Sequence, residues 1–445
     1  MASHDALSFP MDGPLIGAGS ATTTLAADDV RGLLAQAFDS QPLDGKRALV
    51  IIPDATRSAP IPLLFALLGA TLGQRLARLD YLIALGTHPP MSATAIDKLV
   101  GATEAERAAR YPNTTITNHE WDNPNALEVI GVIPAREVRQ LTDELFTVEA
   151  PVTVNKLVGA YDLVIICGPV FPHEVAGFSG GAKYLFPGVA GPQIIDFTHW
   201  LGAVTTSMAT IGVKDTPVRR IIHRAAQFAP RPVVCIAFAL DGDALRGLYI
   251  GHYEAAWSAA ADLAAQFHIV WKPRPFHSVL SMPATRYDDL WTGAKAMYKT
   301  EPVVADGGEI IIYAPQITEV SYTHGALIDQ VGYHVRDYFL RQWEQFVDVP
   351  GMILAHSTHV KGMGTYDAEH DVESPRIQVT LATGIPEARC RRINLGYRDY
   401  HTINPQEWAG REDEGALLVE DAGETLYRLA PTPAPSPVGR GGIVG

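Results

Sequence analysis

The sequence predicts an α/β fold: a larger N-terminal doubly wound parallel-sheet domain and a smaller C-terminal α/β domain. Three observations carry this prediction. Over the first 270 residues, short runs that are apolar on every residue alternate with longer helix-patterned segments. A proline- and arginine-containing break, Trp271–Phe276 (WKPRPF), then precedes a second, shorter series of the same kind. Polar clusters follow directly on three of the apolar runs.

The apolar runs are Ala48–Pro53, Leu79–Leu85, Asp162–Gly168 and Pro232–Leu240. Strands that are apolar throughout are buried on both faces, as in a parallel sheet covered by helices. Helical patterns begin near Pro62 and near Ser92. Alternating strand and helix points to a doubly wound sheet. Beyond the break come a strand at His277–Met282, a helix around Asp288–Lys299 and a strand at Glu309–Ala314. A helix around 330–346 and a strand at Met352–Ala355 complete the series. The expected division is 1–272 for the first domain and 273–400 for the second, with 401–430 as a segment able to return to the first. Residues 431–445 are proline- and glycine-rich, the composition of a disordered tail.

Composition narrows the function classes. The 445 residues carry 35 Lys and Arg against 49 Asp and Glu, a net charge of −14. A field of that sign repels phosphate backbones, so no nucleic-acid partner is expected. An anionic substrate needs its own placed cations. Three cysteines exclude a disulfide framework. Cys167 and Cys235 sit in apolar runs and read as buried thiols, while Cys390 precedes Arg391 and Arg392 without a redox spacing. The first fifteen residues lack a basic and an apolar signal region, and no uninterrupted apolar run reaches membrane-spanning length. The expectation is a soluble cytoplasmic protein with no membrane partner.

Chemistry concentrates after the strands. Asp54-Ala-Thr-Arg57 follows the first run, Gly86-Thr-His88 the second, and Pro169-Val-Phe-Pro-His173 the third. In open parallel sheets ligands bind at the carboxyl ends of the strands, so Arg57, His88 and His173 rise from one rim. The densest stretch, His173–His199, holds glycines at 177, 180, 181, 188 and 191 around Lys183. Glycine-rich backbone with a lysine suits a phosphate, although neither a Walker A nor a Rossmann fingerprint is matched. Gly17-Ala-Gly19 has no strand before it and is set aside. Each feature also has an ordinary structural reading. His88 or His173 alone reads equally well as a loop residue. Asp54 and Arg57 read as a local ion pair, His199 as a surface partner of Asp196, and Trp291-Thr292-Gly-Ala-Lys295 as an amphipathic helix. His356 and His359 are spaced for one helical face, but the run before them makes a loop equally suitable, and no metal role is assigned there.

Taken together, Asp54–Arg57, Gly86–His88, His173, Gly180-Gly181-Ala-Lys183, Pro187-Gly188, His199 and Lys295 resemble, in order, the nickel-pincer lactate racemase family. The resemblance covers roughly residues 45 to 365. It implies an active site between the two domains and a racemase or epimerase that inverts C2 of a 2-hydroxy acid by hydride transfer. The implied cofactor is a nickel-pincer nucleotide, a pyridinium mononucleotide with sulfur ligands, covalent on Lys183. His199 completes the nickel sphere, and neutral imidazole suits that ion. His88 and His173 become the acid/base pair, one on each face. The resemblance assigns Asp54, Arg57, Gly180, Gly181, Pro187 and Gly188 to the cofactor. It assigns Arg57, Lys295, Thr292 and Trp291 to the substrate. Proteins that make the cofactor and insert nickel are implied partners. Pro89 follows His88 where many relatives carry arginine, and Thr292 with Trp291 departs from the lactate-specific pattern. These differences favour another 2-hydroxy acid, such as a larger one or a sugar acid. Two other readings stand beside this one: a metal-free acid–base isomerase or lyase acting on a carboxylate, and a non-catalytic protein that binds an anionic metabolite.

Overall fold

The computed structural model describes residues 13–431. Most of the expected tail, 432–445, and the first twelve residues lie outside the described residues. The first sheet contains β1 (Ile16–Gly19), β2 (Arg47–Pro53), β3 (Arg78–Ala84), β4 (Ile116–Asn118), β5 (Leu163–Pro169), β6 (Val233–Asp241) and β7 (Ala244–Gly251). Their order is β1-β7-β6-β5-β2-β3-β4. Strands β6, β5, β2, β3 and β4 are parallel. The chain runs outward from β2 in one direction and from β5 in the other, so the switch point lies between β2 and β5.

Alternating burial explains the all-apolar runs. Ala48, Val50 and Ile52 face a core shared with α1 (Ala27–Phe38), α2 (Ile61–Leu72) and α3 (Ala93–Val100). Leu49 and Ile51 face the opposite core, shared with α4 (Pro192–Thr205) and α5 (Pro217–Ala226). Strands β5 and β6 divide in the same way. With helices on both sides, neither face of the strands tolerates polar residues. The sheet is not parallel throughout, however. Gly242 takes a positive φ of 57° in a two-residue turn, which folds β7 back antiparallel on β6, and β1 pairs antiparallel with β7. Gly17-Ala-Gly19, set aside in the sequence, lies in this edge strand.

A second, fully parallel sheet comprises β8 (Phe276–Pro283), β9 (Val304–Ala314), β10 (Gln378–Thr383), β11 (Gly396–Tyr397) and β12 (Ala416–Ala422), in the order β11-β10-β9-β8-β12. Several expectations need correction here. Met352–Ala355 is not a strand but the first turn and more of α6 (Gly351–Lys361). Four successive apolar residues cannot distinguish a strand from a helix buried on all sides, and this helix is buried almost throughout. The helix expected over 330–346 is three short helices, Gly325–Val331, Arg336–Arg341 and Trp343–Phe346. The helix expected near 288–299 is split into Leu290–Gly293 and Lys295–Tyr298. Residues 401–430 do not simply return to the first domain. Strand β12 joins the edge of the second sheet, and Leu426–Leu429 pairs with Ile269–Lys272.

Specific bonds tie the two sheets' layers together. Asp196 on α4 accepts the Met352 amide (3.1 Å), satisfying a free N–H at the start of α6. Arg336 donates to the Val204 carbonyl (3.0 Å), and Trp200 stacks on Trp343 with ring centroids 5.6 Å apart. Lys299 Nζ donates to the carbonyls of Pro172 and Glu424. No helix among the described residues is long and apolar enough to cross a membrane.

Ile51 lies fully buried at the centre of β2. Ile51→Ala is expected to cost about 2–5 kcal/mol, read as a lower urea midpoint at unchanged m value.

Candidate active site

A cleft of about 1110 Å³, counting its open mouth, lies between the carboxyl ends of β2, β3 and β5 and the second-domain helices. The cleft sits at the switch point, where parallel strands of opposite winding leave a crevice. Asp54, Arg57, His88, His173, Gly180, Lys183, Pro187, Gly188, His199, Trp291, Thr292 and Lys295 all line it. Gly181 does not. It packs behind the loop, where an added Cβ would lie 2.8 Å from the Trp257 side chain.

The loop after β2 places Asp54 and Arg57. Their expected ion pair gives way to a different one: Asp54 Oδ2 lies 2.5 Å from His88 Nδ1, and Oδ1 accepts the Thr56 hydroxyl (2.6 Å) and amide (3.1 Å). Burial alone would raise the Asp54 carboxyl. His88, Arg57 and Thr56 instead hold it well below the usual carboxylate range. The ionised carboxylate only accepts, so Nδ1 of His88 carries a proton and, in the neutral ring, Nε2 carries the lone pair. Arg57 makes no side-chain hydrogen bond with the described residues; its guanidinium lies over the Phe171 ring, 5.6 Å from the centroid. Burial opposes its charge, but Asp54, with smaller contributions from Tyr287, Tyr184 and Glu174, raises its pKa above the ordinary arginine value. The Gly86 amide donates to the Gly188 carbonyl (3.0 Å), tying the β3 loop to the glycine-rich loop.

His173 is held differently. Its Nδ1 accepts the Val175 amide (3.1 Å), so in the neutral ring the proton is on Nε2. Burial, reinforced by Lys183 and Arg57, pushes its pKa well below the ordinary value. Glu174 Oε2 lies 3.4 Å from the same Nδ1, placed to take a proton from it once the ring gains one there. Glu174 remains ionised although burial opposes this, because His359, backbone hydrogen bonding, Lys299 and Lys295 lower its pKa.

The glycine-rich loop is fixed from behind. Arg219, buried against Trp257 at 4.2 Å, donates to the carbonyls of Phe178 and Gly180, and Trp257 donates to that of Ser179 (2.9 Å). Gly180 takes φ +75°, and a Cβ there would meet the Pro169 carbonyl at 2.8 Å. This turn presents Lys183 to the cleft. Burial and the nearby Arg57 bring its amine down to about 7. His199 on α4 donates from Nδ1 to the Ile195 carbonyl (2.7 Å), not to Asp196, which leaves Nε2 as a lone pair. Burial brings this imidazole down to about 4.

From the second domain, Lys295 is 8% exposed, with Nζ 4.3 Å from the Tyr287 ring centroid. Its pKa falls well below the ordinary lysine value through burial and Arg57. The Thr292 hydroxyl donates to Asp289 (2.8 Å), so it is already engaged. Trp291 stacks on His356 with centroids 4.2 Å apart. Sequence reasoning missed Glu174, Tyr298 and Arg219 and assigned no role to His356 or His359. The signal for Tyr298 was its spacing of three from Lys295, and for the histidine pair its spacing on α6. Glu174 stands next to His173, but Arg219 had no local signal. Cys390 is buried and its thiol is pushed up to about 11, which removes any reactive reading.

Because the Lys183 amine lies near 7, its neutral, nucleophilic fraction grows as pH rises through that value. Amine acylation mapped by peptide mass spectrometry is expected to reach its half-maximal Lys183 rate near pH 7, against about 10 for ordinary surface lysines.

Residues 30–212 match the family described as the lactate racemase N-terminal domain. The chain is 27% identical over 282 residues to the lactate racemase of Thermoanaerobacterium thermosaccharolyticum, covering 61% of this chain and 60% of that protein. It is 25% identical over 287 residues to the lactate racemase of Lactiplantibacillus plantarum, with the same coverage. The matched region thus spans about 60% of these curated relatives' length. Among solved structures, a protein from Thermotoga maritima superposes with TM-score 0.84 and 31% identity, covering 92% of this chain and 99% of that one. The lactate racemase apoprotein of T. thermosaccharolyticum superposes with TM-score 0.67 at 19% identity, covering 89% and 92%, a likeness of fold. The N-terminal region of the chain, residues 30–212, thus belongs to the lactate racemase N-terminal domain family, and the chain shares its fold with a lactate racemase apoprotein.

Proposed function

We propose that the protein is an isomerase that inverts C2 of a 2-hydroxy acid, with His88 and His173 as acid/base groups and a nickel-pincer nucleotide as cofactor. The observation that carries this reading is the opposed state of the two histidines in one cleft. His88 turns a lone pair outward at Nε2, whereas His173 carries its proton there. Inversion needs one group to take a proton from the substrate hydroxyl and another to serve the opposite face.

The residues fit the cofactor. His199 offers a neutral, buried Nε2 whose orientation is fixed by its second nitrogen, as in metal-ligating histidines. Among the described residues no three His, Cys, Asp or Glu side chains gather as a metal site, so His199 needs donors from a bound group, as a sulfur-bearing nucleotide provides. Lys183, with its accessible neutral amine, is the residue to carry the group covalently. Gly180, Pro187 and Gly188 would form its backbone cradle, with Arg57 and Asp54 beside it. When bound, the cofactor supplies a hydride acceptor and donor for C2. Maturation proteins that make and load it are implied partners.

The chain's own residues do the rest. Arg57 grips the substrate carboxylate, with Lys295 as a second cation. His88 Nε2 takes the C2 hydroxyl proton, and Asp54 stabilises the resulting imidazolium. For the opposite enantiomer His173 acts as base from its other neutral tautomer. There the single ring proton sits on Nδ1 and points to Glu174 Oε2, 3.4 Å away, and the bare Nε2 takes the hydroxyl proton. Trp291 closes one side of the cleft to water.

Protein co-expressed with cofactor-making enzymes is expected to carry an added mass on Lys183 and about stoichiometric nickel. With a C2-deuterated 2-hydroxy acid in ordinary water, deuterium is expected to remain at C2 of the inverted product. His88→Ala and His173→Ala are each expected to lower turnover by about 10²-fold or more. Washout of the label to solvent would contradict hydride transfer and assign a metal-free acid–base isomerase.

A further inference from the structure

The segment Phe171–His173 carries one of the two proposed acid/base groups, and both domains hold it. From its own domain, Pro172 and His173 pair antiparallel with Phe178 and Gly177, and the Phe171 carbonyl accepts the Ser179 amide (2.8 Å). From the second domain, Lys299 Nζ donates to the Pro172 carbonyl, in the peptide group that leads into His173. Lys299 follows directly on the short helix Lys295–Tyr298, whose first residue is the cleft cation Lys295. One helical turn of the second domain therefore reaches both the ligand space and the backbone of the His173 segment.

Lysine is a costly residue for such a tether. Lys299 is 1% exposed, and no carboxylate among the described residues lies within ion-pair distance of its ammonium. Glu424, whose carbonyl is its second acceptor (3.1 Å), turns its carboxylate to Arg286 instead (3.2 Å). Burying an ammonium without a counter-ion opposes folding. An uncharged amide could hold a carbonyl without that penalty. What the ammonium adds is charge: burial brings the amine down only to about 8, so it stays protonated at neutral pH. The Phe171 ring carries two cations, with Lys299 Nζ 5.5 Å and the Arg57 guanidinium 5.6 Å from its centroid. After burial itself, Lys183, Arg57, Lys299 and His199 keep a positive charge off the His173 imidazole, and Glu174 is the carboxylate beside its ring.

The backbone of Lys299 is fixed as well. Its carbonyl accepts the Tyr427 amide (2.9 Å) in the strand Leu426–Leu429, which pairs with Ile269–Lys272. Three parts of the chain thus meet at Lys299: the first-domain rim, the second-domain helix and the C-terminal segment. Their meeting point is the peptide bond next to an acid/base group.

We infer that Lys299 is a positioning residue for His173: its ammonium clamps the Pro172 carbonyl from the second domain and so holds the imidazole in place between the Val175 amide and Glu174. The inference rests on the reading of His173 as an acid/base group. It gives the second domain a part in that group's geometry.

The test does not depend on the identity of the substrate. Nitrogen-15 NMR of the histidine-labelled full chain is compared for wild type, Lys299→Met and Lys299→Arg, with His173 assigned by difference from His173→Gln. Methionine keeps the apolar stem and removes charge and donors, whereas arginine keeps both. The expected result in Lys299→Met is loss of the single His173 tautomer, read as movement of its Nδ1 and Nε2 shifts toward each other, with the His88 shifts unchanged. Lys299→Arg is expected to retain the wild-type pattern. If Lys299→Met does not fold, Lys299→Gln, one bond shorter and uncharged, replaces it with the same expectation. In holoenzyme with a verified Lys183 adduct, inversion of lactate, glycerate, malate, 3-phenyllactate and gluconate is followed. On each acid that turns over, Lys299→Met is expected to lower kcat about tenfold or more with KM within about twofold, and Lys299→Arg to recover most of the loss. Unchanged His173 shifts in Lys299→Met would overturn the inference. So would equal displacement of His88 and His173, the signature of general loosening, or a loss confined to KM. Absence of inversion for every acid would instead overturn the 2-hydroxy acid reading, and the NMR comparison would still decide the role of Lys299.

Discussion

Charge crowded into a desolvated space governs this molecule. The chain is acidic overall, yet Arg57, Lys183, Lys295 and Lys299 converge at one interdomain cleft with Asp54 and Glu174 as the carboxylates among them. Burial would discharge these lysines, and it does lower all three. Each cation is therefore placed with a purpose or an anchor. Lys299 is anchored by two carbonyls and ties the cleft's floor to the chain's C-terminal part. Arg57 and Lys295 have no such anchors, and an anionic ligand is the natural complement to them. The overall negative field would repel such a ligand, so these placed cations are what admits it.

The same constraint sets the protonation of the histidines. Asp54, held ionised by its neighbours, accepts a hydrogen bond from Nδ1 of His88. In the more cationic surroundings of His173, a second positive charge is disfavoured, and a backbone amide occupies Nδ1 instead. Two imidazoles in one cleft thus present opposite tautomers without any difference in residue type. Neither state depends on the side chain alone. Both depend on loops held by backbone bonds, such as Gly86 to Gly188, and on Arg219 holding the glycine-rich turn from behind.

Much of this was legible in the sequence, for a physical reason. Strands buried on both faces leave uninterrupted apolar runs, and the polar residues that end them fall at one rim. Arg57, His88 and His173 could be placed by that logic, Lys183 by the glycine-rich stretch around it, and His199 only through the family resemblance. What stayed hidden was pairing. The Asp54–His88 contact joins residues 34 apart on different loops, while Asp54 and Arg57, close in sequence, make no side-chain hydrogen bond. Met352–Ala355 was illegible because a short apolar run looks the same in a strand and in a buried helix. That misreading obscured His356 and His359, whose spacing acquires meaning only on α6. Gly181 failed for another reason: glycine serves close packing against Trp257 as readily as it serves a ligand.

The central claim is that His88 and His173 rest in opposite tautomers across one cleft. Nitrogen-15 NMR of histidine-labelled protein at neutral pH tests it most directly, with the two residues assigned by difference spectra from His88→Gln and His173→Gln. The account predicts a protonated Nδ1 and bare Nε2 for His88, and a bare Nδ1 and protonated Nε2 for His173. The same tautomer at both positions, or a protonated Nδ1 on His173 in the resting protein, would contradict it.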